Sequence, residues 1–368
     1  MRVFFATGEA SGDMLAAALG TRIRELVPGA TFEGIGGERM AAAGIALTAR
    51  SAGWGTIGPI EAAPAIPAMA AAVVRHLVRL RRNPADLIVL VDFGAFNVRF
   101  AGFLHAIGYR GPMLYLLPPG AWFDNPRLAR AVARHARPLT AFAHQRDFYR
   151  SLDLEIAYFG HPLVSLVAPR PARTAPPPDG GTVALLPGSR RGEIARHLPR
   201  LVAAAQFVRE RRPRAAFVVS AADSAAEAFL RERLGGTPLA DATILRGAAP
   251  ALDAADAAWI ASGTAVLEAA LREVPCVALY VVGPLQALIS QRIRRMRYVT
   301  LPNLLLEREA VPERLQTAAT PRALADALLP MLDDPAPAIE ALRAVRTTLG
   351  NPDALDRCAR FALEVARA

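Results

Sequence analysis

Five consecutive apolar residues, Leu87-Ile88-Val89-Leu90-Val91, present no polar face anywhere along their length and stop at Asp92. A strand of that composition is buried on both sides, which places it in a parallel sheet flanked by helices. The same grammar recurs along the chain. Short apolar runs over Phe4–Ala6, Phe32–Ile35, Met113–Leu117 and Leu139–Ala143 alternate with helical periodicity ending near Val27 and over Glu38–Ala43, Asn97–Ile107, Arg127–His135 and Gln145–Ser151. Pro169–Gly181 (PRPARTAPPPDGG) breaks the composition, and the pattern then restarts. Runs at Thr182–Leu186, Ala216–Ser220, Thr243–Leu245, Ala257–Ile260 and Val277–Tyr280 follow, with a helix over Glu193–Arg211. Three helical stretches, about Arg322–Leu332, Ala336–Leu349 and Asp353–Ala366, close the chain. The expectation is an α/β protein of two Rossmann-like, doubly wound domains facing a cleft: residues 1–168, a linker at 169–181, residues 182–350, and a C-terminal helix at 351–368.

At 368 residues and 53% hydrophobic, the chain is long enough for two cores. No apolar run is long enough to span a bilayer, and the N-terminus enters a strand at Arg2-Val3-Phe4-Phe5, so a cytoplasmic location is expected. Cys276 and Cys358 are the only cysteines and follow no metal-ligand spacing. All 43 basic residues are arginine. Without lysine there is no Walker-type phosphate loop and no Schiff-base chemistry. The net charge of +10 favours an anionic partner. Nucleic acid is disfavoured, because aromatics are only 7% and no basic-aromatic motif occurs. Segment Trp54–Ala72 carries no charge except Glu61 and precedes Arg75, Arg79, Arg81 and Arg82. Apolar followed by basic fits a membrane-facing surface, and fits equally an inward-packed helix with a solvated end. Arg292, Arg294, Arg295 and Arg297 form a second basic cluster.

In parallel sheets ligands bind beyond the carboxyl ends of strands, and chemistry-bearing residues collect there. After the first strand come Glu9, Ser11, Gly12 and Asp13; after Val91 come Asp92 and Asn97. In the second half Ser189 and Arg190 follow one strand, and Ser262, Gly263 and Thr264 follow another. Gly263 lets a ligand approach the main chain, and first-turn N–H groups of the helix behind it attract an anion such as a phosphate. Glu268, one turn further in, is placed to accept two ribose hydroxyls, or to sit solvated on an ordinary helix. His144 and His161 fall at similar positions, where a hydrogen-bonded structural role is the commoner one.

The segments GEASGD (8–13), GIGGERMAAAG (34–44), VDFGAFN (91–97), FGHPL (159–163), LLPGSRRGEI (185–194), ASGTAVLEAAL (261–271) and VTLPNLLLERE (299–309) together resemble the lipid-A-disaccharide synthase family, in order and over nearly the whole chain. The resemblance implies a two-domain GT-B glycosyltransferase, inverting and without metal or cofactor, at the cytoplasmic face of the inner membrane. It implies transfer of 2,3-diacylglucosamine from its UDP conjugate to the 6-hydroxyl of 2,3-diacylglucosamine 1-phosphate, and a homodimer exchanging C-terminal helices. Arg190 and the Ser262–Thr264 turn would then meet the diphosphate, Glu268 the ribose, and Asn303 the diphosphate or sugar. Asp92, Glu9 and Asp13 are the contenders for the general base, and Ser11, Gly12, Asn97 and Ser189 complete the substrate contacts. Asp92 fits a loop-pinning role equally well.

The chain departs from the family pattern in three places. Ala95 stands where the family carries a second aspartate, Leu117–Phe123 only partly represents an aromatic segment, and Tyr280-Val281-Val282 replaces Y-R-M. A UDP-N-acetylglucosamine epimerase-like enzyme and a non-catalytic nucleotide-sugar- or lipid-binding paralogue are therefore the alternatives.

Overall fold

The computed structural model describes residues 1–51, 54, 66–120, 124–171, 177, 180–283 and 297–368, apart from the side chain of Ala95. The chain forms two compact units, Met1–Leu166 with Leu349–Ala368, and Val167–Thr348.

In the first unit the strands are β1 (Arg2–Ala6), β2 (Thr31–Gly36), β3 (Ala46–Arg50), β4 (Leu87–Val91), β5 (Met113–Leu116), β6 (Arg137–Thr140) and β7 (Ala157–Tyr158). They form one parallel sheet in the order β3-β2-β1-β4-β5-β6-β7. Every residue of β4 is buried, as its unbroken apolar run requires. The helices are α1 (Ala10–Leu26), α2 (Glu38–Ala42), α3 (Ile66–Arg82), α4 (Gly94–Ala106), α5 (Pro126–His135), α6 (Ala143–Arg150) and α7 (Leu163–Leu166). Helix α4 begins three residues earlier than the sequence pattern suggests, so Asn97 lies inside it.

The second unit contains β8 (Thr182–Leu186), α8 (Arg191–Arg211), β9 (Ala216–Ala221), α9 (Ser224–Leu234), β10 (Thr243–Arg246), α10 (Ala248–Ala254) and β11 (Ala257–Ala261). These are followed by α11 (Thr264–Leu271), β12 (Cys276–Tyr280), α12 (Leu301–Leu306), β13 (Glu313–Leu315), α13 (Pro321–Asp333) and α14 (Ala336–Leu349). Its sheet is also parallel, in the order β10-β9-β8-β11-β12-β13. Its core includes fully buried Trp259, whose indole N–H donates to Leu324 O at 3.0 Å.

The last helix, α15 (Ala354–Arg367), returns to the first unit of its own chain and packs on α1, β4 and β5. Its buried Ala354, Cys358, Ala359, Ala362 and Val365 follow helical spacing, and Arg22 Nε donates to Asp356 at 2.8 Å. Within each sheet the strand order reverses once, between β1 and β4 and between β8 and β11. Such switch points open the crevices where doubly wound sheets bind ligands.

His161, just before α7, has the structural role expected of a histidine there. It is buried, its backbone N–H donates to Leu349 O at 2.9 Å, and its Nδ1 accepts from Leu163 N at 3.1 Å. Burial lowers its pKa to about 4. The folded state therefore takes up its proton later than an unfolded chain, whose histidine titrates near 6.5. Stability from this group is complete above about pH 6.5 and is lost as pH falls towards 4, on the order of 3 kcal/mol. Urea unfolding of wild type and His161→Asn between about pH 7 and 4 checks this. The wild type should lose more stability on acidification than the variant, whose amide oxygen accepts the same bond without titrating.

Candidate active site

At the β1/β4 switch point the carbonyls of Ala6, Val91 and Asp92 converge on one donor. Asn97, fully buried in the first turn of α4, gives its amide nitrogen to all three at 3.1, 3.2 and 2.9 Å. Tyr115 adds a fourth bond, its hydroxyl donating to Asp92 O at 3.0 Å. Burial raises this phenol well above its usual pKa, so it remains a donor. Asp92 and Phe93 are consecutive residues in left-handed conformation (φ 48° and 51°), and Leu117 at the end of β5 is a third (φ 56°). Such backbone costs on the order of 1–3 kcal/mol per residue and concentrates at working sites. The Phe93 ring lies where a Cβ on Gly8 would stand, within 2.3 Å, so only glycine fits in the facing loop.

The sequence candidates divide by direction. Glu9, Ser11 and Asp92 are partly exposed, and the Glu9 side chain does not cap α1. Gly12 and Asp13 are buried. The Asp13 carboxylate accepts from Gly37 N, Arg39 N and Met40 N at 2.7, 2.9 and 3.3 Å, capping α2. A carboxylate so engaged anchors the start of α2, a structural role beside the general-base role expected for it. Asn97 likewise braces strand ends. Thr7 Oγ1 and Asn97 Oδ1 are buried with no hydrogen-bond partner among the described residues.

In the second unit Pro187-Gly188-Ser189-Arg190 follows β8, turning at Gly188 (φ 116°). Ser189 is exposed and Arg190 partly so. Glu193, nearly buried, takes Arg190 Nη1 at 2.6 Å and Ser189 N at 3.3 Å, which fixes the turn. Sequence reasoning passed over Glu193, the third residue of α8, whose carboxylate reaches back to the turn in front of the helix. Across the switch point Ser262 N donates to Leu279 O at 2.9 Å, tying the turn after β11 to β12. Gly263 is exposed with open space where a Cβ would point, Ser262 and Thr264 are partly exposed, and no side chain caps α11. Glu268 is 8% exposed, within the buried run Val266–Leu271 of this helix, and so is not the solvated glutamate of an ordinary helix.

Asn303 does not occupy the element-end position expected of a ligand contact. It is fully buried, donating to Val311 O and Glu313 Oε1 at 2.7 and 2.8 Å and accepting from Ala310 N and Val311 N at 2.7 and 2.8 Å. All four hydrogen bonds of the amide are met within the protein. Glu313, a second residue the sequence reading missed, also receives Val299 N, Thr300 N and Thr300 Oγ1 at 2.8–3.0 Å and so seats α12 against α11. Arg292, Arg294 and Arg295 lie outside the described residues, as do residues 121–123 of the aromatic segment. Among the described residues no group of three or more His, Cys, Asp or Glu side chains is placed to hold a metal ion.

Comparison with known proteins defines the class and then the family. A UDP-GlcNAc 2-epimerase from Neisseria meningitidis, bound to UDP-GlcNAc, superimposes with a TM-score of 0.64 at 10% identity, covering 99% of this chain and 100% of its own. The spinosyn forosaminyltransferase does so at 0.57 and 13%, covering 98% and 99%. The fold is therefore the α/β GT-B fold of nucleotide-sugar glycosyltransferases and epimerases. Residues 3–349 match the family model of lipid-A-disaccharide synthetase, and the lipid-A-disaccharide synthase of Myxococcus xanthus is 34% identical over 374 residues, 99% of this chain and 97% of that protein. The chain belongs to the lipid-A-disaccharide synthase family, which makes it a glycosyltransferase of lipid A biosynthesis.

The Asn303 amide generates a stability prediction. Asn303→Ala leaves the buried Ala310 N, Val311 N and Val311 O without their partner, and should destabilise by roughly 2–4 kcal/mol. Urea unfolding measures it, and a loss under about 1 kcal/mol would mean the knot is not cooperative.

Proposed function

We propose that the protein transfers a 2,3-diacylglucosamine unit from its UDP conjugate to the 6-hydroxyl of 2,3-diacylglucosamine 1-phosphate, with inversion, without a metal, and with release of UDP. The observation that carries the reading is the β8/β11 switch point: two helix N-termini without side-chain caps, Arg190 at one and the open Gly263 turn at the other. That is an anion-receiving arrangement. As the bond from the anomeric carbon to the diphosphate breaks, its electron pair leaves with UDP. Arg190, Ser189 and the Ser262–Thr264 turn receive the charge, while Glu268 accepts ribose hydroxyls.

The acceptor hydroxyl loses its proton as it attacks the opposite face of the sugar. Asp92 takes that proton: it is partly exposed, on strained backbone, at the end of the central strand, and Ala95 offers no carboxylate. Glu9 is the remaining contender, and Ser11 a substrate contact beside it. Gly12, Asp13, Asn97 and Asn303 act by shaping the loops that carry these groups.

Incubating the protein with both acyl-sugars should yield equimolar UDP and disaccharide. Arg190→Ala should raise the Kd for UDP at least about tenfold, and Asp92→Asn should lower kcat on the order of 10²-fold with UDP affinity little changed. UDP binding without disaccharide would identify a binding paralogue. Epimerisation of UDP-N-acetylglucosamine would identify the other alternative.

Diacylated substrates reside in a bilayer, and α3 supports peripheral contact with one. Ala72, His76 and Leu80 face inward, whereas Ile66, Val74 and Val78 are 54, 62 and 45% exposed beside exposed Arg75, Arg81 and Arg82. Most of the segment preceding α3 lies outside the described residues, and no described helix is long and apolar enough to cross a membrane. Flotation with anionic vesicles at low salt should carry the protein upward, and Val74→Ser with Val78→Ser should reduce the floated fraction severalfold. A wild type that stays with the bottom fraction excludes this surface.

A further inference from the structure

His197 lies in α8, fully buried, and takes no direct part in the chemistry above. Its Nδ1 is 2.8 Å from Pro187 O, and its Nε2 accepts from Val281 N at 3.0 Å. Since a backbone N–H can only donate, Nε2 is the acceptor and Nδ1 carries the proton given to Pro187. Pro187 opens the loop that holds Ser189 and Arg190, and Val281 is the first residue after β12. The two loops flank β11, which lies between β8 and β12 and ends in the Ser262–Thr264 turn. The neighbouring Arg196 donates its Nε to Val281 O at 3.1 Å, so successive residues of α8 hold both polar groups of one peptide residue.

We propose that His197, assisted by Arg196, is a positioning residue for the donor: it fixes the spacing of the loops on either side of the Ser262–Thr264 turn and thereby the affinity for the UDP moiety. This rests on the donor-site reading above.

The bridge works with one tautomer. A proton on Nε2 converts the acceptor into a donor aimed at Val281 N–H, and the bond is lost. The charged groups acting on the ring are Glu193, Arg196 and Arg200 on its own helix, and the titratable Tyr280 of β12 lies 6.2 Å away, ring to ring. Burial is the largest influence and lowers the pKa; the bond to Pro187 and Glu193 oppose it, and the two arginines add to it. The bridge is therefore intact above about pH 6.5 and opens as pH falls through the depressed value.

The test titrates UDP calorimetrically into the full-length protein, His197→Phe and His197→Gln at about pH 8 and at steps below 6.5. UDP titrates in this range itself, with a second phosphate pKa of about 6, but the ratio of variant to wild-type Kd cancels that contribution. His197→Phe should raise Kd about tenfold at pH 8, and the ratio should shrink towards one at low pH as the wild type loses its own bridge. His197→Gln, which keeps a non-titrating acceptor, should bind more tightly than His197→Phe. A ratio near one at pH 8, or one independent of pH, overturns the inference in favour of a merely structural histidine. Should His197→Phe fail to fold, Arg196→Met decides: unchanged UDP affinity there overturns the proposal as well. Wild type that binds no UDP, or Arg190→Ala that binds it normally, removes the donor-site reading instead, and this inference with it.

Discussion

Backbone groups at the ends of buried parallel strands set the terms for both halves of this molecule. Where strand order reverses, the terminal carbonyls and amides have lost the ladder that satisfied them, yet they remain under the loops and out of reach of water. Each then requires a side-chain partner, because an unmet buried group costs on the order of 1–3 kcal/mol. Asn97 answers for three carbonyls in the first unit. In the second, His197 and Arg196 hold Val281, and Asn303 with Glu313 holds the segments around α12. The polar residues of the motifs are thus of two kinds, some consumed by the backbone and others presented outward on what the first group has fixed.

The alternation of apolar run, turn and helix was readable in the chain because it depends on local spacing, and strand and helix ends fell within a few residues of the pattern. Short β3, β7 and β13 were not anticipated: their residues are only partly buried or exposed, so they carry no apolar signature. Direction was the harder quantity. Glu9 and Asp13 are one helical turn apart in one loop-helix segment, yet Asp13 points to the N-terminus of α2, whose N-cap residue Gly37 has no capping side chain of its own. A helix opening on Gly-Gly was the available sign that some other segment must cap it. Asn303 illustrates the same limit, since two of its partners are the main chain of Ala310 and Val311, across a turn no periodicity describes.

Strain and clamping at Asp92 belong together. Left-handed backbone at two successive non-glycine residues persists only where neighbours over-determine it, and here they do: Asp92 N donates to Leu116 O, while its carbonyl receives Asn97 and Tyr115. The main chain on both sides of the side chain is held, so the carboxylate's range of positions is narrow. In the base role proposed for Asp92, that narrowing would supply preorganisation that a carboxylate on a looser turn would not.

The charge chemistry of the chain separates what stays constant with pH from what changes. With no lysine, every side-chain cation apart from histidine is a guanidinium that does not deprotonate in a protein, so the positive charge offered to phosphates and anionic surfaces is fixed across the physiological range. Response to acid falls instead on the histidines. His76, His161 and His197 are buried, and burial lowers the pKa of each. They occupy different places: His76 joins α3 to Thr48 of β3, His161 joins the segment before α7 to the return of the chain at Leu349, and His197 joins the loops after β8 and β12. Acidification therefore leaves the arginine field intact while loosening the supports beneath it. Only acid strong enough to reach these depressed values opens the histidine bonds, and the guanidinium charges are unchanged when it does.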